Sequence, residues 1–303
     1  MNGRTSSRNI AIAVLLLWVS TIACSRVFRD PSTTEIPRPS GNIVYSSNES
    51  GSFEIYYMNI NSRIPERLTD NTSDDISPFS FPLDQVGFVS DKNGKYQIYK
   101  MALDGSSQET WLKDDQRAIL APSVSPDRTK IAYVVQAGDK NSTLYVSNLD
   151  GTQERQLTKA RGLDWDPSWS PDGKRIAFSS DTDGDFEINV IDLENDQITP
   201  LTDNTFYDGR PRWSPDGTQI LFESDRDGDW ELYLMDPDGQ NVRNLTENSS
   251  SDWLPEWSPD GKQIVYVSGA DGDDEICIID ANGTHQIKLT NNTVQDRFPA
   301  WMP

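Results

Sequence analysis

Histidine is almost absent from this chain. The single copy, His285, sits in the turn Asn282-Gly283-Thr284-His285, where it reads as an exposed turn residue. A Ser-His-Asp triad needs a histidine deep in a site beside an activated serine, and no Gly-x-Ser-x-Gly motif accompanies this one. Propeller lyases and lactonases that gather several metal or acid–base groups are excluded on the same ground. Cysteine is nearly as scarce: only Cys24 and Cys277 occur, so no disulfide framework is implied, and Cys277 falls in an apolar strand pattern as a small buried hydrophobe. Basic residues are few, 27 Lys and Arg against 48 Asp and Glu, for a formal net charge of −21. A chain without a basic footprint has nothing to offer a polyanion, which argues against a nucleic-acid partner. Helical periodicity is missing beyond the N-terminus, and the apolar run Ile10 to Val19 is shorter than the roughly 20 residues a spanning helix needs.

What is present is a repeat of about 44 residues, whose clearest copies end in Pro-x-Trp-Ser-Pro-Asp-Gly. Counted from the second proline, the register runs Pro39, Pro82, Pro126, Pro171, Pro215, Pro259 and Pro303, which bounds six units. A period of this size marks a propeller or solenoid, because each unit buries its apolar faces only against its neighbours.

One unit shows the grammar. Ser170-Pro171-Asp172-Gly173 suits a type I turn, with proline second and glycine fourth. An apolar strand at Ile176-Ala177-Phe178 follows. Asp183-Gly184 is then a hairpin signal, because both residues tolerate positive φ, before a second strand from Phe186 to Ile191. A third strand ends at Leu201-Thr202, and Pro211-Arg212-Trp213-Ser214 is the fourth. The other units repeat the pattern, which predicts an all-β, six-bladed β-propeller of four-stranded antiparallel blades. The chain opens its first unit past the Pro-x-Trp-Ser strand and ends in Phe298-Pro299-Ala300-Trp301-Met302, so the C-terminal strand is expected to complete the first blade.

The stretches Pro167 to Ser180, Pro211 to Gly217 and Pro255 to Gly261 resemble the TolB-type propeller repeat, a WD-like unit. The resemblance covers residues 41–303 and implies the fold and a binding scaffold in the cell envelope. It implies no particular activity, because such repeats serve many functions. TolB proteins also carry an α/β domain before the propeller, and no segment here reads as one.

Residues 1–23 have the layout of an export signal, with Arg4 and Arg8 ahead of the apolar run and Thr21-Ile22-Ala23-Cys24 at its end. The Ile-Ala-Cys ending resembles a bacterial lipobox, although Thr21 stands where that pattern prefers leucine. Cys24 is accordingly the expected lipidation site, residues 24–40 a proline-broken tether, and the protein a monomer held at the membrane through its N-terminal lipid.

Three sets of residues could carry chemistry. Asp181, Asp183 and Asp185, with Asp225, Asp227 and Asp229, alternate carboxylates on tight turns and are candidate calcium ligands, although Asp-Gly turn chemistry accounts for the same residues and no EF-hand spacing is present. Asp75, Asp164, Asp208, Asp252 and Asp296 stand three residues before the inner-strand proline, with Ile119 breaking the series. This repetition suits turn capping or a tie between blades. Function is sought where the repeats disagree. Two residues before that proline stand Ile76, Leu120, Trp165, Gly209, Trp253 and Arg297, and Trp165, Tyr207, Arg210, Trp253 and Arg297 are the expected contacts for an envelope protein or peptide. This ring is expected on the face that gathers the loops after the Pro-x-Trp-Ser strands. The expected function is a non-catalytic scaffold. Two alternatives stay open: a calcium-assisted glycan-binding module and a hydrolase built on paired carboxylates.

Overall fold

The computed structural model describes residues 41–138, 140–159, 161–270 and 272–302. The expected signal, Cys24 and the whole tether, residues 24–40, lie outside them. Twenty-four strands, β1 (Asn42–Ser47) to β24 (Asp296–Met302) in chain order, form six four-stranded antiparallel sheets, β24-β1-β2-β3 and then five consecutive sets from β4 to β23. These are blades 1 to 6. Among the described residues no helix is long and apolar enough to cross a membrane.

Each blade begins at its innermost strand: β4 (Asp75–Phe81), β8 (Ala118–Val124), β12 (Asp164–Trp169), β16 (Asp208–Trp213), β20 (Asp252–Trp257) and β24. Blade 1 takes its inner strand from the end of the chain, with Asn42 opposite Met302 and Ile43 opposite Trp301. That closure removes the exposed edges an open sheet would present. The middle strands are apolar on both faces, for example Ile220-Leu221-Phe222 and Ile264-Val265-Tyr266, all fully buried, because neighbouring blades cover both sides. Tryptophans 169, 257 and 301 pin adjacent blades together. Their indole N–H groups donate to the carbonyls of Ser123, Arg212 and Glu256 at 2.9, 3.2 and 3.3 Å.

The Ser-Pro-Asp-Gly turns form as expected. Ser170 Oγ donates to Asp172 at 2.6 Å and accepts from Arg175 N–H, while Gly173 takes φ 69° to close the turn. The acidic hairpins form as well, with positive φ at the glycine. Asp183 and Asp227 do not take positive φ; instead Gly184 and Gly228 donate to the carbonyls of Asp181 and Asp225, three residues back, as the last residues of their turns. The side chain of the aspartate that opens each turn accepts from the backbone N–H of the residue just before the inner strand, Leu163 or Tyr207.

The ring of aspartates ties blades together. At four junctions, Leu-Thr-x-Asn-x-x-x-Asp runs from the outer strand of one blade to the inner strand of the next. Asn71, Asn204, Asn248 and Asn292 donate through Nδ2 to Asp75, Asp208, Asp252 and Asp296 at 2.7 to 2.8 Å. Their backbone N–H groups donate to Glu54, Glu187, Glu231 and Glu275 of the preceding blade. Burial raises the carboxyl pKa of Asp75, Asp164, Asp252, Asp296, Glu187 and Glu231. Blade 3 departs from the motif, with Ile119 and Thr143 in place of the acids.

Candidate functional site

The six inner strands enclose a cavity of about 660 Å³ on the propeller axis, within the size range of ligand pockets. Its lining follows from one local irregularity repeated six times. Each inner strand shifts register beside the next strand, as between Trp165 and Ser168 or between Gly209 and Arg212. The residue before each inner proline, Ser77, Ala121, Asp166, Arg210, Leu254 or Phe298, sits in the left-handed region with φ from 46° to 55°. Proline tolerates a bulge because it has no N–H to lose from the ladder, and the bulge turns the preceding side chain toward the axis.

Since all six positions share this backbone, their side chains alone break the symmetry. Ser77, Ala121, Phe298, Ile76, Leu120 and Phe79 make an apolar arc from blades 1, 2 and 3. Blades 4, 5 and 6 supply the charges. Arg210 Nη1 lies 3.1 Å from Asp166 Oδ1 and its Nε 3.2 Å from Glu223 Oε1, and the guanidinium stands 5.7 Å over the Phe298 ring. Glu223 also accepts from Leu254 N–H at 2.9 Å. One layer along the axis, Arg212 Nε meets Glu256 Oε2 at 2.8 Å. Burial lowers the pKa of Arg210, but Asp166 and Glu223 outweigh it and hold the group above its ordinary range. Burial raises the carboxyl pKa of Glu223 and Glu256, each opposed by its arginine. Three carboxyl groups thus stand against two guanidiniums in this arc.

Of the residues anticipated at a mouth, Trp165 and Arg210 come together in this cavity. The others do not join them. Tyr207 packs between blades 4 and 5, with ring centroids 5.1 Å from Phe186 and 4.6 Å from Trp230. Trp253 joins the apolar cluster of Ile43, Tyr45 and Ile276 between blades 6 and 1, with the Arg297 guanidinium 5.4 Å over its ring and Arg297 Nε 2.5 Å from Asp274. The face is also corrected. Asp164 and Trp165 pair with Ser180 and Ser179, next to the acidic hairpin, whereas Trp169 pairs with Ile176 beside the Ser-Pro-Asp-Gly turn. The ring therefore lies at the end of the channel where the acidic hairpins gather, because a strand's first and last residues stand at opposite faces.

Asp166, Glu223, Arg212 and Glu256 were not anticipated. Glu223 had a legible signal: at its place in the second strand the other blades carry Ser46, Val89, Val134, Ser179 and Val267.

The candidate calcium ligands serve local structure. Asp181 and Asp225 accept from the backbone N–H groups of Leu163 and Tyr207 at 2.5 and 2.9 Å, and Asp227 accepts from Asn244 and the Tyr233 hydroxyl. Asp183 is exposed, and Asp185 and Asp229 are half-buried. Among the described residues no three His, Cys, Asp or Glu side chains converge to hold a metal ion. Cys277 is buried, and His285 lies in its turn with Nδ1 2.8 Å from Asp280.

Residues 103–303 match the family model of the TolB beta propeller domain. A protein TolB homolog of Chlorobium luteolum is 30% identical over 36% of this chain and 34% of its own length. A Tol-Pal system protein TolB of Alcanivorax borkumensis is 34% identical over 29% of this chain and 20% of its own length. The chain thus matches about a third or less of these relatives. Among solved structures, TolB of Acinetobacter baumannii superposes with a TM-score of 0.77 at 23% identity, covering 87% of this chain and 67% of that one. An oligogalacturonate lyase in complex with manganese gives a TM-score of 0.59 at 16% identity, covering 82% of this chain and 73% of that one. At such identities the superpositions show a shared fold.

Proposed function

Because this chain belongs to the TolB beta propeller family, we propose that it is a non-catalytic scaffold of the bacterial cell envelope, exported and lipid-anchored at Cys24, which holds a protein or peptide segment in its axial channel. The observation that carries the reading is the asymmetry of the bulge ring. Six positions with the same backbone carry Ser, Ala, Asp, Arg, Leu and Phe, and only side chains freed from building the repeat diverge in this way. The family relationship supports the envelope setting, since relatives are named as Tol-Pal system proteins. Hydrolysis finds no support in the channel, where each carboxylate is engaged by an arginine.

A photo-crosslinking residue placed at Trp165 in the native envelope tests the reading. The expected result is one discrete adduct from position 165 and none from the exposed outer residue Ile64. Equal adducts from both positions, or none from 165, would refute the channel as the binding site. Cys24→Ser is expected to release the protein from the membrane fraction, and retention would overturn the anchor.

A further inference from the structure

We infer that the segment held in the channel is basic and apolar: a lysine or arginine side chain seated against the carboxylates of Asp166 and Glu256, with a neighbouring apolar side chain against Ile76, Leu120 and Phe298. The inference rests on the channel being the binding site and specifies the chemistry of its occupant.

Charge complementarity sets the sign. The channel contributes one more carboxylate than guanidinium, and the carboxylates bracket the arginines: Asp166 lies on blade 4, Arg210 and Arg212 on blade 5, and Glu256 on blade 6. Arg210 is engaged by two acids, so an incoming anion would have to displace one of them. Asp166 and Glu256 each commit one oxygen to an arginine through the contacts described, and Glu256 is the more open of the two, with 36% of its side chain exposed to the channel. A further cation beside them adds a partner to two carboxyl groups that each meet one arginine. An acidic segment meets the opposite condition and is repelled.

The apolar arc sets the second half of the specificity. Ile76 and Leu120 stand where other blades present Trp165, Gly209, Trp253 and Arg297, and blade 3 lacks the aspartate next to Leu120 because Ile119 replaces it. That side of the channel therefore offers hydrocarbon without a competing charge. A segment carrying only a cation would leave this wall wet, and one carrying only apolar groups would leave the carboxylates unanswered.

The test uses the full chain and four fluorescein-labelled pentapeptides of one length: Lys with Leu, Gln with Leu, Glu with Leu, and Lys with Ser. Each is titrated by anisotropy and used to compete the Trp165 photo-adduct. The Lys–Leu probe is expected to bind about tenfold more tightly than Gln–Leu, the value of one hydrogen bond to a charged group. It should also bind more tightly than Lys–Ser, with Glu–Leu weakest. Glu256→Gln and Asp166→Asn should each remove most of the Lys preference, with the melting temperature recorded alongside so that lost binding is not lost folding. Competition by Glu–Leu as strong as by Lys–Leu would overturn the basic occupant and leave the channel reading standing. Equal binding of Lys–Ser and Lys–Leu would overturn the apolar half. If no probe competes the adduct, the channel reading falls and the inference falls with it.

Discussion

Arg210 supports a strong prediction about stability, because it is the cation that makes a buried carboxylate tolerable. Only 5% of the Glu223 side chain is exposed, and it sits on a middle strand where the other blades place serine or valine. Arg210→Met removes the guanidinium but keeps much of the hydrocarbon stem. Deleting one partner of a buried ion pair costs about 3–5 kcal/mol, since the other charge stays in low dielectric. Glu223 keeps the hydrogen bond from Leu254 N–H and borders the channel, which places the loss near the lower end, about 3 kcal/mol. In a domain of this size that corresponds to a melting temperature lower by about 6–12 °C. Glu223→Gln in the same background keeps an acceptor for Leu254 and removes the orphaned charge, so the double variant should recover more than half of the loss. Recovery stays incomplete because Asp166 has also lost its partner. The pH dependence gives a second readout. Burial already raises the Glu223 pKa with Arg210 opposing, so removing Arg210 raises it further. A carboxyl with a raised folded-state pKa is favourable when protonated, and its contribution falls as pH rises through that value. The deficit of Arg210→Met should therefore be small near pH 5 and largest at neutral pH. Thermal melts of the single and double variants at both pH values decide the matter. A single variant within about 2 °C of the parent, or a double variant no better than the single, would refute the assignment of Glu223 as a charge held by Arg210.

The blade junctions should make the whole propeller more stable in mild acid than at pH 8. Six carboxyls of the ring and its partner glutamates are raised by burial, so the folded state holds protons that the unfolded chain releases from about pH 4 upward. Turn acids such as Asp127, Asp172 and Asp216, lowered first by hydrogen bonds from serine, lose their contribution only below about pH 4 and set the acid limit. Melts from pH 4.5 to 8 should show the decline, and Asp252→Asn with Asp296→Asn should flatten it. An equal effect from the exposed Asp203→Asn would assign the slope to net charge instead. Ring closure gives a further test. Trp301→Ala should cost about 3–5 kcal/mol by emptying the contact between blades 6 and 1, read as a lower denaturant midpoint with the slope unchanged. Deleting residues 296–303 should replace one cooperative transition with a broad one, because β1 is left as an open edge.

The strands were legible because three signals agree in each unit: the apolar triplets, the Ser-Pro-Asp-Gly turns and the shared period. Even the final strand was readable, since Phe298 to Met302 repeats a pattern that the first unit lacks. The blade ties were visible as residues but not as contacts. Asn71 and Asp75 are four apart in the chain, yet the Glu54 that completes the tie stands 17 residues before Asn71, on another strand. Composition alone does not connect them.

The bulge decides which of the residues singled out in the sequence reach the channel, Trp165 and Arg210 but not Trp253 or Arg297. On a regular strand, side chains alternate faces, so counting back two from the inner proline should reach the face that the proline itself presents. A residue at φ near 50° interrupts that alternation and swings the side chain directly before the proline into the channel, at Asp166, Arg210 and Phe298. The residue two before is then free to turn between blades, as Trp253 and Arg297 do, or to remain at the rim, as Trp165 does. Large aromatic and arginine side chains dominate binding surfaces, which makes Trp165 and Trp253 stand out in the sequence, yet such side chains are also what fills the wide gap between blades. Glu223 escaped for the opposite reason. A lone acid directly after an apolar triplet reads as tolerated noise until the structure places an arginine from the neighbouring strand 3.2 Å away. In a repeat protein the informative comparison is therefore among structurally equivalent positions across all blades. A buried charge that appears in one blade only marks the channel more reliably than an aromatic residue that appears in two.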